Sequence, residues 1–156
     1  EEWRTRLWPT LASGDWDNLE LGAQRFNHLG SLDESRLAGL DAALRFQETI
    51  GIDRIAARVR FLGDHLLSRL EAVPRVQIVT PRDPQLGVGL ISFRLEGIES
   101  LELQRRLAQA ANARTRVISE YGYGWMRLSP HIYNTVDEID RVVELISEEG
   151  KGSGSG

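Results

Sequence analysis

The sequence predicts an α+β domain: a small, mainly antiparallel sheet of about four strands, covered on one face by helices. Three observations predict it. Apolar residues recur at helical spacing between Ser31 and Ala72. The period then falls to two in "RVQIVT" and "VGLISFRL". After Ser129 a capping signal leads into one more helical stripe. The resulting order is two helices, a hairpin, a helix, two strands and a helix. One sheet with its helices layered on one side satisfies that order, and its other face is left to solvent or to a partner.

Glu1 to Asn27 holds Trp3, Trp8 and Trp16 with Pro9, Gly14 and Gly22 but no sustained period. It is expected to be irregular, with a helical turn at its start. In "SLDE", Ser31 stands three residues before Glu34, the spacing of a capping box. Leu37, Leu40 and Leu44 come next on one helical face, with Ala38, Ala42 and Phe46 beside them, and Gly51 ends the helix. Ile52, Ile55, Val59, Leu62, Leu66 and Leu70 predict a second helix to about Ala72, with Arg54, Arg58 and Asp64 toward water. Arg75–Thr80 and Val88–Leu95 read as strands, and the short loop between them predicts antiparallel pairing. A third helix covers about Glu99–Asn112 with Leu103, Leu107 and Ala110 inward. Strands are expected at about Thr115–Ser119 and Tyr123–Ser129. Thr135 and Glu138 form a second capping box, and a last helix runs from Val136 to Ser147 on Ile139, Val142, Val143 and Ile146. Residues 1–30 thus form an irregular leading segment, 31–148 the domain, and 149–156 a flexible linker or tag scar.

Composition bounds the function. A chain of 156 residues is about one domain and can bury roughly 70% of its extended surface. There is no cysteine, so disulfides, thiolate metal sites and a cysteine nucleophile are excluded within the chain. No apolar run is long enough to span a membrane and no signal peptide opens the sequence, which makes the cytoplasm the simplest compartment. A net charge of −4 argues against a general nucleic-acid binder. His28, His65 and His131 lack metal-ligand spacing. His65 lies in a leucine-rich helix and reads as structural. "YGYGW", Tyr121–Trp125, matches no nucleotide-binding pattern and is expected to mark a strand with close backbone approach. Of the 19 basic residues only Lys151 is a lysine, and it stands in the expected linker.

One stretch carries more. In "RLSPHIYNTVDEID", strand alternation puts Met126 and Leu128 on one face and Trp125, Arg127 and Ser129 on the other. Arg127 then faces the uncovered side of the sheet. A planar guanidinium on a rigid strand suits bidentate capture of a carboxylate or phosphate, although an ordinary edge ion pair would place it equally well. Arg116, on the preceding strand, either assists with anions or is solvated.

This stretch resembles the C-terminal signature of class V aminotransferases, the fold-type I pyridoxal-phosphate enzymes that include isopenicillin-N-epimerase-like proteins and cysteine desulfurases. "RFNHLGSLDESRLAGLDAALRFQETIG" and "RIAARVRFLGDHLLSRLEAVPRVQIVTP" resemble the family's preceding segments in order and spacing, so the likeness runs from about Arg25 to Ile146. It implies the small domain of such an enzyme. It implies that Arg127 binds the substrate α-carboxylate, and that Gly30 and Ser31 contact the cofactor phosphate of a neighbouring subunit. His28, beside them, is a further candidate for that contact. A serine hydroxyl can donate that bond, and helix N-terminal amides favour phosphate. It implies pyridoxal phosphate in the whole enzyme, a homodimer, an amino- or keto-acid substrate, and a larger N-terminal domain that brings the Schiff-base lysine. Lys151 cannot be assigned that role. The chain alone is therefore expected to bind no cofactor, to have no catalytic residue of its own and to be inactive. Cysteine desulfurases use a loop cysteine in this portion, so its absence implies the epimerase-like or aminotransferase-like branch. The missing lysine keeps a second reading open: a stand-alone, non-catalytic module with the small-domain fold.

Overall fold

The computed structural model describes residues 6–7, 17–26, 33–83, 85–87 and 89–152. The chain divides into two compact units, Glu1–Thr49 and Ile50–Gly156. Trp3, Trp8, Trp16, His28, Gly30 and Ser31 lie outside the described residues.

In the first unit, a 3-10 segment spans Leu19–Phe26 and breaks at Gly22, whose φ of 57° is a conformation that glycine adopts freely. Arg25 is buried, donates to the carbonyl of Leu7 and lies 4.9 Å above the Phe26 ring. Helix α1 is Glu34–Ile50. The carboxylate of Asp33 accepts the Ser35 N–H at 3.1 Å, so Asp33 caps α1 where Ser31 was expected to. None of α1's residues is buried.

The second unit holds the core. Helix α2 is Ile52–Glu71, followed by strands β1, Val76–Ile78, and β2, Ile91–Leu95. Helix α3, Ser100–Ala111, leads to β3, Arg116–Ile118, and β4, Trp125–Leu128. Helix α4 is Val136–Gly152. The sheet order is β1-β2-β4-β3, and every pairing is antiparallel. Period-two burial along β2 and β4 turns Ile91, Phe93, Leu95, Met126 and Leu128 toward the helices. There they join Leu62, Leu66 and Leu70 of α2, Leu103 and Leu107 of α3, and Ile139, Val143 and Ile146 of α4 in one cluster. The α+β layer, with four antiparallel strands and helices on one face, is the predicted architecture.

Several details differ. Ile52 is exposed, because it opens α2 ahead of the stripe that reaches the sheet. Arg58, expected in water, is half-buried and donates to the Asn134 carbonyl at 2.9 Å. Ala110 is exposed, because burial follows the Leu103–Leu107 row. β2 starts only at Ile91, since Gly89, at φ 66°, is pressed against α2. α4 runs past Ser147 to Gly152, held by Arg75 donating to the Gly150 carbonyl at 2.8 Å and by Arg106 paired with Glu149. These tertiary contacts outweigh glycine's weak helix propensity. The "YGYGW" stretch leaves a 3-10 turn, Glu120–Gly122, and enters β4 only at Trp125. No atom stands within 4 Å of a Cβ built at Gly122 or Gly124, so close approach is not the reason for glycine there. Positive φ, 74° and 58°, is. Among the described residues, no helix is long and apolar enough to cross a membrane.

Candidate functional site

Arg127 is the third residue of β4. Its neighbours Met126 and Leu128 are anchored in the core, so the backbone that carries it is fixed from the helical side. The side chain leaves on the face opposite α2, α3 and α4 and is half-buried there. Register places Ser92 of β2 on one side and Arg116 of β3 on the other. Arg94 stands on the same face of β2 and donates to the Tyr123 carbonyl. Trp125, two residues before Arg127, stacks on Tyr123 with ring centroids 4.3 Å apart.

The electrostatics of this face are uneven. Arg116 pairs with Glu120 at 2.7 Å. Among the described residues, Arg127 has no such partner, and its Nε is buried without a hydrogen-bond acceptor. An unsatisfied buried donor costs about 1–3 kcal/mol, more when charged. An arginine left in that state, on a strand otherwise fixed, has spare capacity for an anion.

The chain after β4 is equally ordered. The Asn134 side chain accepts the His131 N–H at 2.9 Å, and Arg58 of α2 holds the Asn134 carbonyl. Thr135 and Glu138 form the predicted capping box. The Thr135 N–H reaches the Glu138 carboxylate at 2.9 Å, and the Glu138 N–H reaches the Thr135 hydroxyl at 3.1 Å. The bond from the Thr135 amide holds the Glu138 carboxyl below its ordinary range, with Asn134 assisting. His131 is exposed, its ring 5.5 Å from that of Tyr133.

A cleft of about 640 Å³ lies elsewhere, between the end of α3 and the start of α4. Thr115, Leu128, Asn134 and Arg141 line it, and Arg127 does not. Its mixed lining of apolar and opposite-charged groups offers no convergent chemistry. Arg127, with an unmet donor, is the better marker of a site. Among the described residues, no cluster of histidines and carboxylates could hold a metal ion.

The sequence profile of the family described as "Aminotransferase class-V" matches residues 19–142. The chain belongs to this family. The class-V chain is 29% identical over 126 residues to isopenicillin N epimerase of Streptomyces clavuligerus, a match that covers 80% of this chain and 32% of the relative. Its fold superposes on the apo cysteine desulfurase of Thermococcus onnurineus NA1 with a TM-score of 0.73 at 24% identity, covering 82% and 34%. It also superposes on a C-DES variant that has glycine covalently linked to its pyridoxal phosphate cofactor. There the TM-score is 0.69 at 21% identity, covering 81% and 32%. The chain thus spans about a third of the length of these relatives.

Of the sequence-derived site residues, Arg127 is placed on β4 and Arg116 opposite it on β3. His28, Gly30 and Ser31 lie outside the described residues. Arg58, Ser92, Arg94 and Glu120 were missed. For Ser92 and Arg94 a signal existed, since they are the polar alternates of a strand whose other residues are Ile91, Phe93 and Leu95. For Arg58 and Glu120 none did, because both act through contacts the sequence does not show.

Proposed function

We propose that this chain is the small domain of a pyridoxal-phosphate-dependent enzyme acting on an amino or keto acid, and that Arg127 binds the substrate α-carboxylate. The observation that carries the reading is the buried, acceptor-free Nε of Arg127 on the open face of β4, within an R-x-S element. That donor fits a carboxylate. Arg127 supplies charge and a planar fork, which fix the orientation of the acid. Ser92 and Arg116 bound the position on either side.

Pyridoxal phosphate, when bound in the intact enzyme, supplies the electron sink for bond breaking at the α-carbon. None of the described residues is assigned to it. Lys151, the chain's one lysine, stands on the last turn of α4 in the helical layer, away from the face that bears Arg127. The Schiff-base lysine is therefore assigned to a large N-terminal domain, and Gly30, Ser31 and His28 to the cofactor phosphate of a partner subunit in a homodimer. The absence of cysteine favours the epimerase-like or aminotransferase-like branch over desulfuration, and the cytoplasm is the compartment proposed.

The test is Arg127→Ala in the full-length enzyme. We expect kcat/KM to fall by about 30- to 5000-fold, the cost of removing one partner of a desolvated charge pair, while cofactor absorbance is retained. Unchanged kinetics would sink the assignment. A full-length protein with no lysine able to take the cofactor would favour the non-catalytic module instead.

A further inference from the structure

The open face of the sheet carries three guanidiniums, Arg94, Arg116 and Arg127. Among the described residues the only carboxylate paired with any of them is Glu120. With Glu96, which accepts from the Gln77 side chain opposite Arg94, this face sets three guanidiniums against two carboxylates, in a chain whose net charge is −4. Two of the three stand directly opposite each other, because β3–β4 register pairs Arg116 with Arg127. Like charges directly opposite across strands are unfavourable. Neither residue is placed there by packing, since Val117 and Met126 supply the core contacts of that pair of strands.

Glu120 answers only half of this repulsion. It reaches Arg116 from the 3-10 turn after β3, and both side chains are well exposed, at 50% and 61%. An exposed pair of this kind is weak and readily exchanged. Arg127 next to it stays without a carboxylate. Opposite residues of a sheet have Cβ atoms about 4.5–5.5 Å apart, so two guanidinium heads on flexible stems can converge on the two ends of one short diacid.

Resting on the reading of Arg127 as the α-carboxylate contact, we propose that Arg116 is a second anion contact at that site. The substrate class is then an acid with a further acidic group beyond the α-carboxylate, of the aminodicarboxylate type. Glu120 holds Arg116 when that group is absent and yields it when the group arrives. The carboxylate of Glu120 competes with the substrate's second acid for one guanidinium, so it sets the preference for diacids over monoacids.

The experiment titrates this 156-residue chain with acetate and with succinate at matched ionic strength, following backbone amides of β3 and β4 by NMR. Succinate is expected to bind about threefold tighter than acetate, within what one exposed ion pair supports. R116Q should bring succinate to the level of acetate. E120Q, which removes the competing charge and keeps the shape, should widen the preference for succinate. Equal binding of the two acids in the parent chain overturns the proposal, as does a preference that survives R116Q. R127Q separates this from the reading beneath it. Acetate binding that survives R127Q overturns the Arg127 assignment and this inference with it. Acetate binding lost in R127Q, with no succinate preference in the parent chain, leaves the assignment standing and overturns only the second contact. Absence of binding by either acid overturns both.

Discussion

The Thr135 hydroxyl caps the last helix seven residues after the Arg127 strand ends. Thr135 Oγ1 accepts the Glu138 N–H, and Glu138 returns a bond to the Thr135 amide. Thr135→Ala removes the acceptor and should lower stability by about 1 kcal/mol, as loss of a helix cap does. Urea denaturation reads this as a lower midpoint at unchanged slope. Arg58 acts on the same segment from α2. Arg58→Ala should release the Asn134 carbonyl and cost about 0.5–1.5 kcal/mol for one hydrogen bond. The cap at Thr135 was legible because a capping box is a local pattern of two residue types at one spacing. Ser31 shows the limit of the same pattern. The cap is Asp33, two residues on, which the spacing to Glu34 does not point to. Arg127 was legible as a position on a face by parity alone. Its missing acceptor was not, because that depends on what β2 and β3 place beside it.

At the scale of elements, β2 and β4 were legible as strands by their alternation, but alternation fixes only which face each residue takes, and the register that sets Phe93 opposite Met126 came from the structure. The sheet order, with β4 between β2 and β3, depends on a crossover through α3 that no local pattern encodes. How α2 meets the loop before β2 was equally hidden. A Cβ at Gly63 would lie 2.7 Å from the Cα of Gly89, and one at Gly89 would lie 2.6 Å from Val59 Cγ1. Gly89→Ala also forces a side chain onto φ 66°. Each substitution should destabilise by about 1–3 kcal/mol, the cost of overpacking, and Gly89→Ala should be the worse. Thermal unfolding of the two variants checks the order. A pH-dependent tie joins α2 to α4. Nε2 of His65 and Nε of Arg69 both lie 2.8 Å from Asp140 Oδ1. The hydrogen bond from His65 first, and Arg69 after it, hold the Asp140 carboxyl below its ordinary 3.8. A carboxyl depressed in the folded state stabilises fully above its unfolded pKa. That contribution fades as pH falls below 3.8 toward the lower folded value. Asp140→Asn should therefore flatten the acid limb of the stability profile there.

Across the whole molecule, burial is divided unequally between the two units. The core cluster draws on α2, α3, α4 and the sheet, all within Ile50–Gly156. Helix α1 contributes no buried residue, and Leu37, Leu40, Leu44 and Phe46 are each more than half exposed. Tertiary packing of one face supplies most helix stability in proteins, and α1 buries none of its residues. Amide exchange should report the contrast directly. Amides of Leu62–Leu70 in α2 are expected to open only with the core, whereas those of α1 open locally and exchange about 100-fold faster or more. Measuring exchange at two protein concentrations distinguishes intrinsic helix stability from association. Slow exchange in α1 at both concentrations would mean that its helix is stable without burial, against this expectation. Protection that rises with concentration would show a second copy covering the leucine face, since an apolar surface of that kind is one that association removes from water. Substituting Leu40 by Glu should then abolish that protection without lowering the denaturation midpoint of the core.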